Sequence, residues 1–381
     1  MTWRLSVRGV RTVAGLELRQ RVRSTRWIAV LTIWAVLLGL LTTLIRVAVH
    51  LAADIDAIAP GVGGGEAAAG DNVGDQIGRL MFGLIAFLVL SLGTLVAPAL
   101  SATSINGDRT AGILAPLQTT LLSAAEIAVG KLVAAWTTAL ALLLTASPFI
   151  LWTYLEGGTS PLRLLVTLGV LALTLLVVCA IGLGWSSVAS RTSSSTVLTY
   201  LTIAVLGPGL PILFALCLPT VQQEETVRVR QLVPAGLYLP ADSAPRCVES
   251  REQLSRTHTE RIWWVLAPSP YVVVADAAPR PGDEDTALSG WDPLTLIRDG
   301  VREARLGPAE VEDRCGDVAT TTRPDGGEDT ARERREERNA LSAVWPYGLA
   351  ANLLLGLGFT VTAITRLRAP IRRLPRGVRI G

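Results

Sequence analysis

Residues 164–190 read LLVTLGVLALTLLVVCAIGLGWSSVAS and contain no charged side chain. A helix of this length extends about 40 Å, more than the roughly 30 Å thickness of the hydrocarbon layer of a bilayer. Such an uninterrupted apolar run predicts a transmembrane helix. It decides the fold class, because five further stretches of the chain have the same character.

These five stretches are residues 27–45, 80–102, 132–155, 197–218 and 344–365. Hydrophobic residues make up 50% of the chain and charged residues only 18%, and the charges concentrate between the apolar stretches. Soluble domains carry about a quarter charged residues, so the bilayer is the expected solvent here. The sequence predicts an all-α integral membrane protein with six transmembrane helices.

The charges that flank the apolar stretches predict the topology. Arginines before residue 27 recur at helical spacing beside an apolar stripe, which is typical of an amphipathic elbow helix on the membrane surface. Basic residues next to a span stay on the cytoplasmic side, so both termini are expected inside a multi-pass protein of the cell membrane. The predicted parts are an elbow helix (1–26), spans one to five (27–221) with an inner loop (103–131), an extracellular domain (222–340), span six (341–366) and a basic tail (367–381).

No pattern for catalysis, cofactor binding or metal binding stands out. The chain has only two histidines and no GxSxG motif. A P-loop ending at Gly130-Lys131 would need glycine at Ala125 and Ser or Thr at Leu132. The spans hold no Asp, Glu, Lys or Arg between their ends, whereas ion-coupled transporters usually keep ionisable groups there. We therefore expect another chain to supply the energy for any transport.

The inner loop between spans two and three carries the most specific pattern. Residues 105–131 read INGDRTAGILAPLQTTLLSAAEIAVGK. Asp108 or Thr110 can cap a short helix on the membrane surface, and Ser123 with Glu126 predicts a capping box at the start of span three. The alternative is a structured inner loop that binds no partner.

This loop resembles the first intracellular loop of ABC type-2 permeases, which read roughly E-x-x-x-G-T-L-x-x-L-L-x-x-P-L-S-x-x-E-I-x-x-G-K. The matching positions are Asp108, Gly112, Leu114, Leu117, Ser123, Glu126, Gly130 and Lys131. Ile113, Gln118 and Leu121 depart from the family pattern. Residues 269–276, SPYVVVAD, are also similar to the family's Asn-Pro-Phe-x-x-x-x-Asp after span five.

The resemblance implies a permease subunit without its own nucleotide-binding site, with export as the commoner direction in the family. The hydroxyl and aliphatic side chains of the spans favour an amphipathic or lipid-like compound or a drug as the cargo. In the family, this loop sits in a cleft of separate ABC ATPase subunits, which bind ATP and magnesium, so Asp108 is expected to pair with an ATPase arginine. The expected partners also include a second permease subunit and membrane lipids, and no nucleic acid. The alternatives are a membrane-bound sensor, a mechanotransmission subunit that uses the extracellular domain, and an ion-coupled secondary transporter.

Two features lie within the predicted extracellular domain. Residues 262–278 are apolar but interrupted by Pro268 and Pro270, which favours an interfacial or re-entrant element over a span. Cys247 and Cys315 lack CxxC spacing and lie on the expected oxidising side, so we predict a disulfide between them. The alternative is two separate thiols.

Overall fold

The computed structural model describes residues 5–22, 25–58, 73–112, 122–157, 160–233, 246–278, 292–309, 311–313 and 327–368. The chain is mostly helical. It divides into two compact units, one formed by residues 1–208, 268–297 and 345–381, and the other by residues 209–267 and 298–344. The segment predicted as one extracellular domain is thus shared between the two units.

The first unit is built from helices. They are α1 (Val7–Val22), α2 (Thr25–Ile58), α3 (Val73–Ser101), α4 (Asn106–Thr110), α5 (Ala124–Glu156), α6 (Pro161–Val188) and α7 (Thr192–Ala204), which a π-helical turn (Val205–Gly209) extends. Helices α9 (Pro270–Ala277), α10 (Pro293–Leu306, as far as residue 297) and α12 (Trp345–Arg368) complete the unit.

Six helical stretches of the described chain are long and apolar enough to cross a membrane. They are Trp27–Ala48, Gly78–Thr110, Ala124–Glu156, Leu164–Val188, Thr192–Val221 and Glu333–Arg368. Each overlaps one predicted span, so the prediction of six transmembrane helices is confirmed at the level of length and composition.

Helix α6 lies at the centre of the core, where it packs against α3, α5 and α12. Its side chains Leu171, Leu175 and Leu183 are almost completely buried. A Cβ atom added at Gly184 would overlap the ring of Phe359 on α12, so the helices approach closely because this residue has no side chain. Small residues at helix interfaces allow such approaches in membranes, where dispersion contacts hold helices together.

Helix α9 comes from the segment predicted as interfacial or re-entrant, and it packs against α6 and α12. Most of its residues are buried, and the rings of Tyr271 and Phe87 lie 5.7 Å apart. The carboxylate of Asp276 accepts a hydrogen bond of 2.9 Å from the backbone N–H of Trp345, at the start of α12. Asp276 thereby provides an acceptor for one of the N–H groups that have no partner within the helix. Its negative charge also interacts favourably with the positive end of the helix dipole.

The second unit contains a small sheet that the all-α prediction does not include. Helix α8 (Leu210–Cys217) and a 3₁₀ turn lead into β1 (Gln222–Val233), which pairs antiparallel with β2 (Arg246–Thr257) and parallel with β3 (Val311–Asp313). In the stretch TVRVR the buried Val227 and Val229 alternate with polar residues, which is the period of a strand with one face covered.

Helix α11 (Gly327–Ala340) packs its charges against those of α10 in the second unit. Arg334 pairs with Glu303 at 2.9 Å, and Arg338 pairs with Asp299 at 3.4 Å. The cysteine prediction falls outside this description, because Cys315 and the side chain of Cys247 are not among the described groups. Cys179 and Cys217 are free thiols.

Candidate functional site

The loop residues singled out in the sequence lie at the start of α5 and on the preceding helix α4. Asp108 lies on α4, and Gly112 follows that helix with a φ angle of 72°, a conformation that favours glycine. Ser123, Glu126, Gly130 and Lys131 lie at the beginning of α5. Leu114 and Leu117 fall outside the described residues, so their predicted role stays a prediction.

The predicted capping box is present and has a third participant. The Ser123 hydroxyl accepts from the Glu126 N–H at 3.2 Å, and Oε2 of Glu126 accepts from the Ser123 N–H at 2.7 Å. Oε1 of Glu126 also accepts from the Ser6 N–H at 2.9 Å, just before α1. The Glu126 carboxylate therefore caps the start of α5 and also binds the residue just before α1.

Lys131 is the only lysine in the chain and is almost completely buried. Its ammonium lies 2.5 Å from Oδ2 of Asp108 on α4, and it also forms an ion pair and hydrogen bond with Glu17 on α1. Buried charges persist when they are paired and hydrogen-bonded, as here. Lys131 thus connects three elements: α1, the loop helix α4 and the candidate span α5. We call Glu17, Asp108 and Lys131 the lysine junction.

Gly130 allows α1 to lie directly on α5. A Cβ atom at this position would be 2.7 Å from Cβ of Val13 and 3.2 Å from the carbonyl oxygen of Val10. Real Cβ atoms essentially never come within 3.0 Å of other heavy atoms, so any larger residue would push α1 away. Gly130 therefore sets the distance between α1 and α5, and at this distance the neighbouring Lys131 reaches Glu17 on α1.

Arg21 extends the same assembly to span two. Its guanidinium donates to the carbonyl oxygen of Leu100 at 2.9 Å and to the Thr138 hydroxyl at 3.3 Å. Leu100 lies in the last turn of α3, where carbonyl groups lack helical partners and a cation is favoured. Sequence reasoning missed both Arg21 and Glu17, although their i,i+4 spacing on the predicted elbow helix is a usable signal.

The beginning of the loop is fixed to the ends of α6 and α7. The Ser186 hydroxyl donates to Oδ1 of Asn106 at 2.6 Å and accepts from the Ile105 N–H at 2.9 Å. Ser195 on α7 donates to the carbonyl oxygen of Ala102 at 2.5 Å. All of these polar groups are buried, so breaking the bonds would leave them unsatisfied.

This arrangement suits the transmission of movement. Across the described part of the chain, no group of three or more His, Cys, Asp or Glu residues is arranged to hold a metal ion. The loop helix and the residues just before it are linked by ion pairs and hydrogen bonds to α1, α5, α6 and α7, and Arg21 links α1 to α3. Asp108 is engaged with Lys131, and its pairing with a partner's arginine stays a prediction.

Comparison with known proteins identifies the family. A family described as ABC-2 family transporter protein matches residues 11–253, which include most of α1, the inner loop and the first five candidate spans. Residues 269–276, the second stretch that resembles the family, lie beyond this match. No curated protein matched the chain. Because the matched region covers more than half of the sequence, the chain belongs to the ABC-2 transporter family of membrane permeases.

Proposed function

We propose that this chain is the permease subunit of an ABC transporter, energised by separate ATPase subunits that bind its inner loop. The observation that carries this proposal is the lysine junction, in which one buried cation joins the loop helix to α1 and α5. These ionic links would carry a movement of the loop helix directly to α1 and α5.

The ATPase contact would form on the side of the loop that faces solvent. Thr103, Thr110 and Ala111 are exposed, whereas Ile105 and Asn106 are completely buried. A partner that pushes on the exposed side would therefore move α4 together with its anchors. Asp108 keeps about a quarter of its side chain exposed, and a carboxylate has enough lone pairs to accept from a partner's arginine while it binds Lys131.

The proposed cargo is an amphipathic or lipid-like compound or a drug, moved outward. A cavity of about 230 Å³ between α3, α7 and α9 supports this chemistry. It is lined by the hydroxyl-bearing residues Ser91, Thr94, Tyr200 and Tyr271 amid aliphatic side chains. Ligand sites commonly combine such apolar walls with a few polar groups.

The remaining parts of the proposal concern assembly and placement. A second permease subunit would complete the translocation pathway, and ATP and magnesium would bind only to the ATPase subunits. The chain would lie in the cell membrane with both termini in the cytoplasm and residues 222–340 outside. The basic flanks of the chain support this orientation, since arginines near span ends stay inside.

The test is purification of the full-length protein from its native membranes, followed by identification of the subunits that remain bound. The proposal expects an ATPase with nucleotide-binding motifs and ATP-dependent cargo movement after reconstitution. Co-purification of a sensor kinase, or transport that an ion gradient drives without ATP, would contradict it.

A further inference from the structure

The second unit contains a histidine between two carboxylates. His258 follows β2, and its side chain is only 12% exposed. Its Nδ1 lies 2.7 Å from Oε1 of Glu260, and its Nε2 lies 3.1 Å from Oε1 of Glu225 on β1. Both ring nitrogens therefore face carboxylate oxygens at hydrogen-bonding distance.

This geometry presents an acceptor to each ring nitrogen. A neutral imidazole has one N–H donor and one lone pair, whereas the imidazolium has two donors. A carboxylate oxygen accepts hydrogen bonds, so a neutral ring would direct its lone pair at one of the two oxygens. Only the imidazolium can donate to both Glu225 and Glu260.

The carboxylate of Glu260 also depends on the positive charge of the His258 ring. Its second oxygen, Oε2, is shielded from solvent and has no hydrogen-bond partner among the described groups. It faces Gly307, where an added Cβ atom would overlap it. Basic side chains on the neighbouring elements contact other groups: Arg256 pairs with Glu312, Arg261 donates to Gln223, and Arg334 binds Glu303 and the carbonyl of Gly307.

The histidine lies where the hairpin begins and ends. The His258 N–H donates to the carbonyl oxygen of Val221 at 3.0 Å, and the next ladder pair is Gln222 with Thr257. The ring then joins β1, through Glu225, to the 3₁₀ turn that carries Glu260. Contacts of this ring therefore close the base of the β1–β2 hairpin.

We infer that His258, Glu225 and Glu260 form a proton-dependent clasp that fastens the base of this hairpin when the imidazole is charged. Imidazole is the side chain whose charge changes between about pH 5 and 8. A neutral ring results when the imidazolium gives one proton to water. The ring then loses one donor and leaves two negative charges unneutralised, so the clasp stabilises the hairpin at low pH and is lost at high pH.

The test is amide hydrogen exchange of the full-length protein between pH 5.5 and 8.5, with rates corrected for the intrinsic effect of pH. We expect local opening of peptides covering 222–233 and 246–261 to increase about three- to tenfold toward pH 8.5, because charge-assisted hydrogen bonds are lost. His258→Gln should abolish this dependence, and His50→Gln, the matched control on α2, should retain it.

Two results would overturn the clasp. One is a wild-type exchange profile that is flat in these peptides, which needs no variant to interpret. The other is an unchanged pH dependence in His258→Gln. If that variant does not fold, Glu225→Gln provides the second comparison and should reduce the dependence, whereas a full wild-type response in it would contradict the inference. These readouts do not involve an ATPase, so they can fail while the proposed permease function stands.

Discussion

Replacement of Lys131 by methionine removes the buried cation of the lysine junction and keeps the length of the side chain. Glu17 and Asp108 then lose their shared counter-charge, and Glu17 keeps only the more distant guanidinium of Arg21, at 3.9 Å. Removal of one partner from a fully buried pair costs about 3–5 kcal/mol. The two carboxylates are 22% and 24% exposed and can be partly hydrated, so we expect a loss of about 2–3 kcal/mol in the free energy of unfolding.

The assay is reversible unfolding of the purified full-length protein in mixed micelles. Arg11→Met is the matched control, because it removes one positive charge from an exposed site on α1. An exposed substitution of this kind should change stability by no more than about 0.5 kcal/mol. Adding Asp108→Asn to Lys131→Met removes one of the two repelling charges, so the double variant should be more stable than the sum of the single effects indicates.

Two outcomes would refute this reasoning. If Lys131→Met costs no more than Arg11→Met, the buried ion pairs do not hold the three elements together. If the effects of Lys131→Met and Asp108→Asn simply add, the two side chains do not interact as the structure indicates.

Three further expectations concern stability and topology. Glu126→Ala removes the acceptor of the capping box and should lower the free energy of unfolding by about 1–2 kcal/mol, and a full loss in Glu126→Gln, which keeps one acceptor oxygen, would argue against the cap. Asp276→Ala leaves the N–H of Trp345 without its acceptor and should cost about 1 kcal/mol, whereas an equal loss in Asp276→Asn would show that capping is not the cause. In a background without native cysteines, Glu336→Cys should react with a membrane-impermeant maleimide on intact cells and Gln20→Cys should not, and reversed labelling would overturn the proposed orientation.

The spans and the capping box could be predicted from sequence because each depends on local patterns. Uncharged runs longer than the bilayer core identify the six spans. The three-residue spacing of Ser123 and Glu126 identifies the box without knowledge of the fold. The strands were not predicted because most of β1, QQEETVRVRQLV, is polar. Among its side chains up to residue 231, Val227 and Val229 are the buried ones.

The lysine junction could not be predicted, because its members come together only through tertiary packing. Glu17 lies 114 positions before Lys131, on a helix whose contact with α5 depends on Gly130. The resemblance to the permease loop marked Asp108 and Lys131 as separate family positions and gave no sign that they pair. A single lysine among 35 basic residues was the one available signal that this position differs from the others.

Site-specific photocrosslinking tests the central claim most directly, because it asks whether an ATPase subunit lies against the inner loop. A photoreactive amino acid is placed at Thr110, which is exposed on α4, and a matched one is placed at Glu336, which is exposed in the second unit. The account predicts an ultraviolet-dependent adduct between the Thr110 variant and an ATPase subunit, and none from the Glu336 variant. An ATPase that co-purifies but crosslinks only from Glu336, or no ATPase adduct from Thr110, would contradict it.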